Sequence, residues 1–285
     1  MGRQLFQGCR MHRLLNKASK LDQHIVSTLY ASVNPESYFP KKGINLATAS
    51  AVLFLLGKLS GVHGNSEAPC LILNKRSSRV KQPGDLCCPG GGVTPRFDRY
   101  LAKLAMLPFL ALRRWRYWSE WRRLKPRQAH LLALFWATGL RESFEEMRLN
   151  PFGVKFLGLL PSQSLVMFDR VIYPMVAWVK RQVRFSPNWE VEKIVYIPLR
   201  DLLNSENYAR YRLNFNTYPL SAGKPPVNDF PCFIHQKDSG TELLWGATYR
   251  IAAIFLDYIF DFKPPDLYSL PVVNGSLSAA YLTGQ

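Results

Sequence analysis

Residues 141–149 read R-E-S-F-E-E-M-R-L, and well upstream of them Pro89-Gly90-Gly91-Gly92 follows a short apolar run, Cys70-Leu71-Ile72-Leu73-Asn74. From Gln128 the chain runs through H-L-L-A-L-F-W-A-T-G-L with helical apolar spacing, and Asn150-Pro151 supplies a stop. On that helix Glu142, Glu145 and Glu146 stand at i, i+3 and i+4, which puts three carboxylates on one face within a turn. Like charges so close repel unless a cation sits among them. Magnesium or manganese, Mg²⁺ or Mn²⁺, are hard ions that take carboxylate oxygens and bridge to a diphosphate. Arg141 is placed to offset the charge and to hold the helix against the glycine segment. A solvated helix face also carries acids, so the surrounding segments decide between the two readings.

Working outward, Ala49–Leu56 (A-S-A-V-L-F-L-L) and Cys70–Asn74 read as paired buried strands. A basic rim, Lys75, Arg76, Ser77, Ser78 and Arg79, then leads through Pro83-Gly84-Asp85 into the glycine segment, where backbone must approach something closely. Strand-like runs return at Val154–Leu160, Val171–Val179 and Ile194–Pro198. Glu242–Phe260 is expected to be a final helix, and no period is visible after Lys263. Strands and helices mix without regular alternation, so the expected class is α+β.

The order of strand, K-R-S, P-G-G-G and then R-E-S-F-E-E-M-R-L on a helix resembles the Nudix box, G-x5-E-x7-R-E-U-x-E-E-x-G-U, where U is aliphatic. Gly92-x5-Asp98 matches its first part, with Asp for Glu, and Arg141–Leu149 matches the second. Between Asp98 and Arg141 lie 42 residues where the box has seven, so the box looks split by an insertion. The stretch I-L-N-K-R-S-S-R-V-K-Q-P-G-D-L-C-C-P-G-G-G-V-T-P-R-F-D is similar to the coenzyme A diphosphatase branch, as are Glu190-Val191-Glu192 to Pro198-Leu199 and Leu244-Trp245-Gly246-Ala247-Thr248.

That resemblance implies an α/β/α sandwich with a mixed sheet and a helical insertion. It divides the chain into an N-terminal basic helical segment (1–44), a Nudix-like domain (45–262, insertion about 99–128) and a C-terminal tail (263–285). The implied activity is metal-dependent hydrolysis of a diphosphate linkage in a nucleoside-diphosphate-type small molecule, coenzyme A or a derivative among the candidates. Glu142, Glu145 and Glu146 would hold the metal, with Glu145, Glu146, Arg141 and Glu190 as the catalytic set. Lys75, Arg76, Arg79, Gly91 and Gly92 would bind substrate. Glu190 and Glu192 are the acids from which a base could come, while His130 and His235 stand singly in the sequence. Besides Asp98, three further positions depart from the pattern. Arg148 replaces a glycine whose left-handed turn costs a residue with a Cβ, so the helix is expected to run on to Asn150. Gln82 stands for a histidine and Asp85 for a glutamine.

Lys+Arg 37 against Asp+Glu 20 gives the 285 residues a net charge of +17, which calls for an anionic partner. Arg96–Arg127 alone holds ten basic residues and two acids, with Trp115, Trp118 and Trp121 at three-residue spacing. Three roles are open for this insertion: packing against the domain or a homodimer mate, contact with an anionic membrane surface, and a lid over substrate phosphates. Nucleic-acid binding and a non-catalytic scaffold are rival functions, although no recognition helix, RNP-type motif or zinc-finger spacing is present. No apolar run exceeds nine residues, which argues against a spanning helix. Five cysteines without C-x-x-C spacing read as reduced thiols in a cytoplasmic protein. The N-terminus lacks a secretory pattern; its basic residues suit a helix lying on the domain or, alternatively, an organellar transit segment.

Overall fold

The computed structural model describes residues 14–15, 18–32, 38–39, 43–59, 68–107, 112–165, 169–180, 182, 184–214, 227–237, 240–276 and 281. Arg3, Arg10, Arg13 and Cys9 of the basic N-terminal segment, and residues 108–111 of the insertion, lie outside them. The first helix, α1 (Ala18–Ser32), is followed by β1 (Ala49–Leu59), the centre of the main sheet. On one side β1 runs antiparallel to β2 (Ala68–Arg76), and β2 also pairs with the short β3 (Leu86–Cys87). The glycine segment is itself a short strand, β4 (Gly90–Gly92), laid antiparallel on β1 with Gly91 opposite Ala51. After it come α2 (Pro95–Ala105), α3 (Trp118–Leu124) and the long α4 (Pro126–Met147).

The sheet is completed by β5 (Val154–Leu159), β6 (Gln163–Ser164), β7 (Val171–Val179) and β8 (Val191–Pro198). Of these β7 lies parallel to β1, with Leu53 opposite Met175, while β8 flanks β2. Alternation along β1 then decides the layers. A Cβ on Gly139 of α4 would sit 2.9 Å from the Leu53 side chain, so that helix needs a glycine to close on the sheet. The next residue, Phe54, points the other way, its ring 4.6 Å from Phe255 on the last helix, α6 (Gly246–Phe260); the single turn α5 (Leu199–Leu202) precedes it. A mixed sheet between helices is the α/β/α arrangement, and the class is α+β as expected.

A second sheet joins β9 (Tyr208–Asn214), β10 (Val227–Lys237), β11 (Gly240–Trp245) and β12 (Val272–Ser276). It corrects the expectation of a helix over Glu242–Phe260. Glu242–Trp245 is strand, with Leu243 opposite Ile234, and the left-handed Gly246 (φ 65°) turns the chain from strand into helix. The stretch beyond Lys263 is not without structure either: β12 lies parallel to β9, and Tyr281 is buried.

The insertion packs inward. Trp115, Trp118 and Trp121 are 5%, 2% and 6% exposed, so the rings that a lipid-surface role would place at headgroups lie in the core. Trp115 meets Phe156 of β5 edge-on at 5.1 Å, and Tyr117 stacks on Tyr30 of α1 at 3.5 Å. The intervening Arg113, Arg114, Arg116, Arg122 and Arg123 are exposed. Among the described residues no helix is long and apolar enough to cross a membrane, and Cys70, Cys87, Cys88 and Cys232 form no disulfide.

Candidate functional site

The last two turns of α4 carry the acidic face, and their end is fixed by an unusual cap. The helix stops at Met147, not at Asn150, because Arg148 takes the left-handed conformation (φ 56°, ψ 39°) that the sequence pattern assigns to glycine. That costs about 1–2 kcal/mol for a residue with a Cβ. Four contacts offset it. The Arg148 N–H donates to Phe144 O (2.9 Å) and the Leu149 N–H to Ser143 O (3.3 Å); Gln182 Nε2 donates to Arg148 O (2.9 Å), and the guanidinium lies 5.0 Å from the Phe144 ring centre.

Against this helix end lies β4. Gly90 has φ 140°, and a Cβ there would collide with the Ala51 carbonyl. Its N–H donates to Glu146 Oε2 at 3.0 Å, and Asn74 Nδ2 at the end of β2 donates to the same oxygen at 2.9 Å. At Gly91 a Cβ would stand 2.6 Å from the Glu142 carboxyl. Arg141 completes the join: Nη2 donates to Gly92 O (3.1 Å), Nε to Asp98 Oδ1 (2.7 Å), and the side chain pairs with Glu142 (2.9 Å) and Glu145 (3.2 Å). Asp98 has no exposed surface; its Oδ2 also accepts from Thr94 N (2.7 Å) and Thr138 Oγ1 (2.8 Å). Segments 42 residues apart in sequence thus form one loop-helix unit.

Beside it a small cavity of about 80 Å³ is lined by Asn74, Arg76, Cys87, Glu146 and Glu190, among others. Burial pushes the Glu146 carboxyl up to about 8, the Gly90 N–H opposes that, and the charges of Glu142 and Glu190 add to it. Burial raises Glu142 too, against the pull of Arg141. Burial works against the Arg141 cation, but Asp98, Glu142 and Glu145 outweigh it and hold its pKa above the usual arginine value.

Of the expected site residues, the structure brings together Arg76, Gly91, Gly92, Arg141, Glu142, Glu146 and Glu190. Glu145 is half exposed and held by Arg141. Lys75, next along β2, points to the opposite face from Asn74 and pairs with Glu242 (3.2 Å) and Glu192 (3.4 Å). Arg79 is exposed, its N–H taken by Ser77 Oγ. His130 Nδ1 donates to Pro126 O (2.8 Å) within its own helix, and His235 is buried in β10. Asn74 was not among the expected residues; the signal for it is a polar side chain, 1% exposed, closing an apolar strand. Asp85 and Gln82 serve a different purpose. Asp85 accepts from Trp245 Nε1 (3.0 Å) and the Tyr281 hydroxyl, and the left-handed Gln82 donates its N–H to Tyr281 O (2.7 Å). Burial pushes the Asp85 carboxyl up to about 6.

Among the described residues no three His, Cys, Asp or Glu side chains are already gathered round one point. Glu142 and Glu146 flank the glycine loop, while Glu142 and Glu145 both pair with Arg141. The donor set nevertheless fits a hard divalent cation: Glu146 is mostly buried, its Oε2 is fixed by two hydrogen bonds, and Glu142 and Glu190 add negative charge around it.

No protein-family model and no curated protein matches the chain. Solved structures do. An Ap4A hydrolase of C. elegans in a binary complex is 14% identical, with 55% of this chain and 83% of that chain covered and a TM-score of 0.34. The Nudix hydrolase RenU of M. smegmatis is 13% identical (58% and 80% covered, TM-score 0.31). The NUDIX domain of NrtR from Shewanella oneidensis, solved with ADP ribose, is 14% identical (62% and 85% covered, TM-score 0.33).

Proposed function

We propose that this chain is a metal-dependent hydrolase of a diphosphate linkage in a nucleoside-diphosphate-type substrate, with coenzyme A or a derivative among the candidates. The observation that carries the reading is the closure of Gly90–Gly92 on the acidic end of α4, Gly90 N–H on Glu146 (56 positions on) and Arg141 on Gly92 O (49 positions back). A glycine strand closed on the buried Glu146 over that distance supports a built site over a solvated helix face.

Glu146 would hold Mg²⁺ or Mn²⁺, joined by Glu142 and Glu145 as they exchange Arg141 for the ion. When bound, the ion lowers the pKa of a water and neutralises diphosphate charge. Asn74 and the Gly90 N–H fix one oxygen of Glu146 and so orient the carboxylate. Arg141, fully engaged by its partners, acts by positioning the helix on the loop. Arg76 lines the cavity and offers the phosphate-binding guanidinium; its Nε is anchored on Lys81 O at 2.6 Å. Lys75 and Arg79 are not assigned that role. Glu190, on the wall of the same cavity, is our candidate for the group that takes a proton from the attacking water.

The test is a screen of the purified chain with Mg²⁺ and Mn²⁺ against coenzyme A, acyl-coenzyme A, nucleotide sugars, dinucleoside polyphosphates and NADH. Metal-dependent release of a phosphomonoester from at least one is expected. Glu146→Gln should lower turnover on that substrate by roughly 100-fold, about 3 kcal/mol of barrier, with folding intact. Near-normal turnover in this variant, or no hydrolysis of any member of the panel, would refute the proposal.

A further inference from the structure

Helix α2 has three faces with different chemistry. One, made by Asp98, Ala102 and Ala105, is buried against the fold. The second carries Phe97 (53% exposed), Tyr100 (69%) and Leu104 (54%), spaced i, i+3 and i+7 so that they form one stripe, with Leu107 (39%) in the turn beyond. The third holds the exposed Arg96, Arg99 and Lys103, which border the stripe on the Tyr100 side; the Lys103 ammonium lies 5.7 Å from the Tyr100 ring centre. Large apolar side chains left in water in a row, edged by cations, are the pattern of a helix lying in a membrane interface.

We infer that the outer face of α2 docks on an anionic lipid surface, with Phe97, Tyr100 and Leu104 entering the headgroup boundary and Arg96, Arg99 and Lys103 meeting lipid phosphates. Charge selects this occupant over the others. A second copy packed through the same stripe would bring six cations together, since Arg96, Arg99 and Lys103 would face their own equivalents. The chain's own first residues bring Arg3, Arg10 and Arg13 with no acid before Asp22, so they too add positive charge. Single-stranded nucleic acid would use the aromatic rings but gains no base stacking from Leu104 and Leu107. A bilayer surface supplies both the negative charge and the apolar depth. These residues are distinct from the three insertion tryptophans, which are buried.

The inference is independent of the hydrolase reading, but it places the candidate site near lipid headgroups. Helix α2 begins three residues after Gly92, and from its inner face Asp98 holds Arg141.

The test uses the full chain in co-sedimentation with phosphatidylcholine vesicles, alone or containing phosphatidylserine. Binding is expected to the phosphatidylserine vesicles and to weaken as salt rises. The variant F97S/Y100S/L104S and, separately, R99E/K103E should each bind at least about 10-fold more weakly. An unchanged urea midpoint in both variants confirms that exposed positions were altered without loss of fold. Four results would each overturn the inference: no binding of the unaltered chain to anionic vesicles; undiminished binding by F97S/Y100S/L104S; a dimer in solution that this variant converts to monomer; or single-stranded RNA that displaces the chain from vesicles and loses affinity in the same variant.

Discussion

Replacing Asp98 with Asn keeps the shape of a fully buried side chain and removes its charge. Four donors converge on the carboxylate: Thr94 N, Thr138 Oγ1, and Nε and Nη2 of Arg141, at 2.7 to 3.2 Å. An amide has one acceptor oxygen. In either orientation its NH₂ group faces at least one of these donors, and the guanidinium, 11% exposed, loses its buried counter-charge. Breaking a buried pair by removing one partner costs about 3–5 kcal/mol. Here Arg141 keeps Glu142 at 2.9 Å and Glu145 at 3.2 Å, which places the expected loss near the lower end, about 3 kcal/mol. Urea unfolding measures it: the midpoint should fall with the slope unchanged. Arg141→Met in the Asp98→Asn background should cost much less than it does alone, because the two residues act as a unit. A loss below about 1 kcal/mol, or strict additivity of the two substitutions, would show that Asp98 does not anchor the helix to the loop.

Three further outcomes follow from particular contacts. Gly90→Ala must drive a Cβ into the Ala51 carbonyl at φ 140° and should cost more than about 2 kcal/mol, whereas Gly91→Ala meets only the swinging end of Glu142 and should cost less than about 1; urea midpoints of the two variants decide it. Asp85 titrates at about 6 in the fold against an ordinary 3.8, so the folded state holds its proton more tightly than the unfolded one, and ionisation in place lowers stability as pH rises through that window. This displacement corresponds to about 3 kcal/mol, present above about pH 6 and absent below 3.8, so Asp85→Asn should gain on the unaltered chain by up to that amount between about pH 4 and pH 8; an unchanged difference in unfolding free energy would contradict it. Trp118→Ala should cost about 3–5 kcal/mol, because the ring is 2% exposed in the common core; a midpoint near that of the unaltered chain would mean that the insertion is a detachable appendage.

The split loop-helix unit was legible because its residue types admit few other readings: glycines where backbone must approach, three carboxylates on one turn, and an arginine beside them. The errors came where tertiary contacts outvote local pattern. At Arg148 the sequence shows no glycine and suggests a longer helix, but Leu149 is buried and Gln182 holds the Arg148 carbonyl, so the chain must turn. Over Glu242–Trp245, apolar residues at Leu243 and Leu244 fit a helix continuing into Ala247 as well as a strand, and pairing with β10 decides it. Lys75 is a suitable phosphate ligand by type alone, and its place on β2, one residue from Asn74, turns it to Glu242. Val272–Ser276 (V-V-N-G-S) has no strand signature of its own; it becomes one because the edge of β9 is available. The tryptophan spacing is compatible with packing, a membrane surface or a lid, and the burial of the three rings separates packing from the others.

The position of β1 has a consequence for the chain as it leaves the ribosome. β1 is apolar from Ala49 to Leu56, yet its parallel neighbour starts only at Val171 and the helix that covers Leu53 reaches Gly139 only after the whole insertion has been made. At about 5–20 residues per second, that leaves one edge of the central strand unpaired for several seconds at least. During this interval the strand is a template for pairing with other chains. The insertion therefore lengthens the most vulnerable period of synthesis while contributing, once packed, part of the core that ends it.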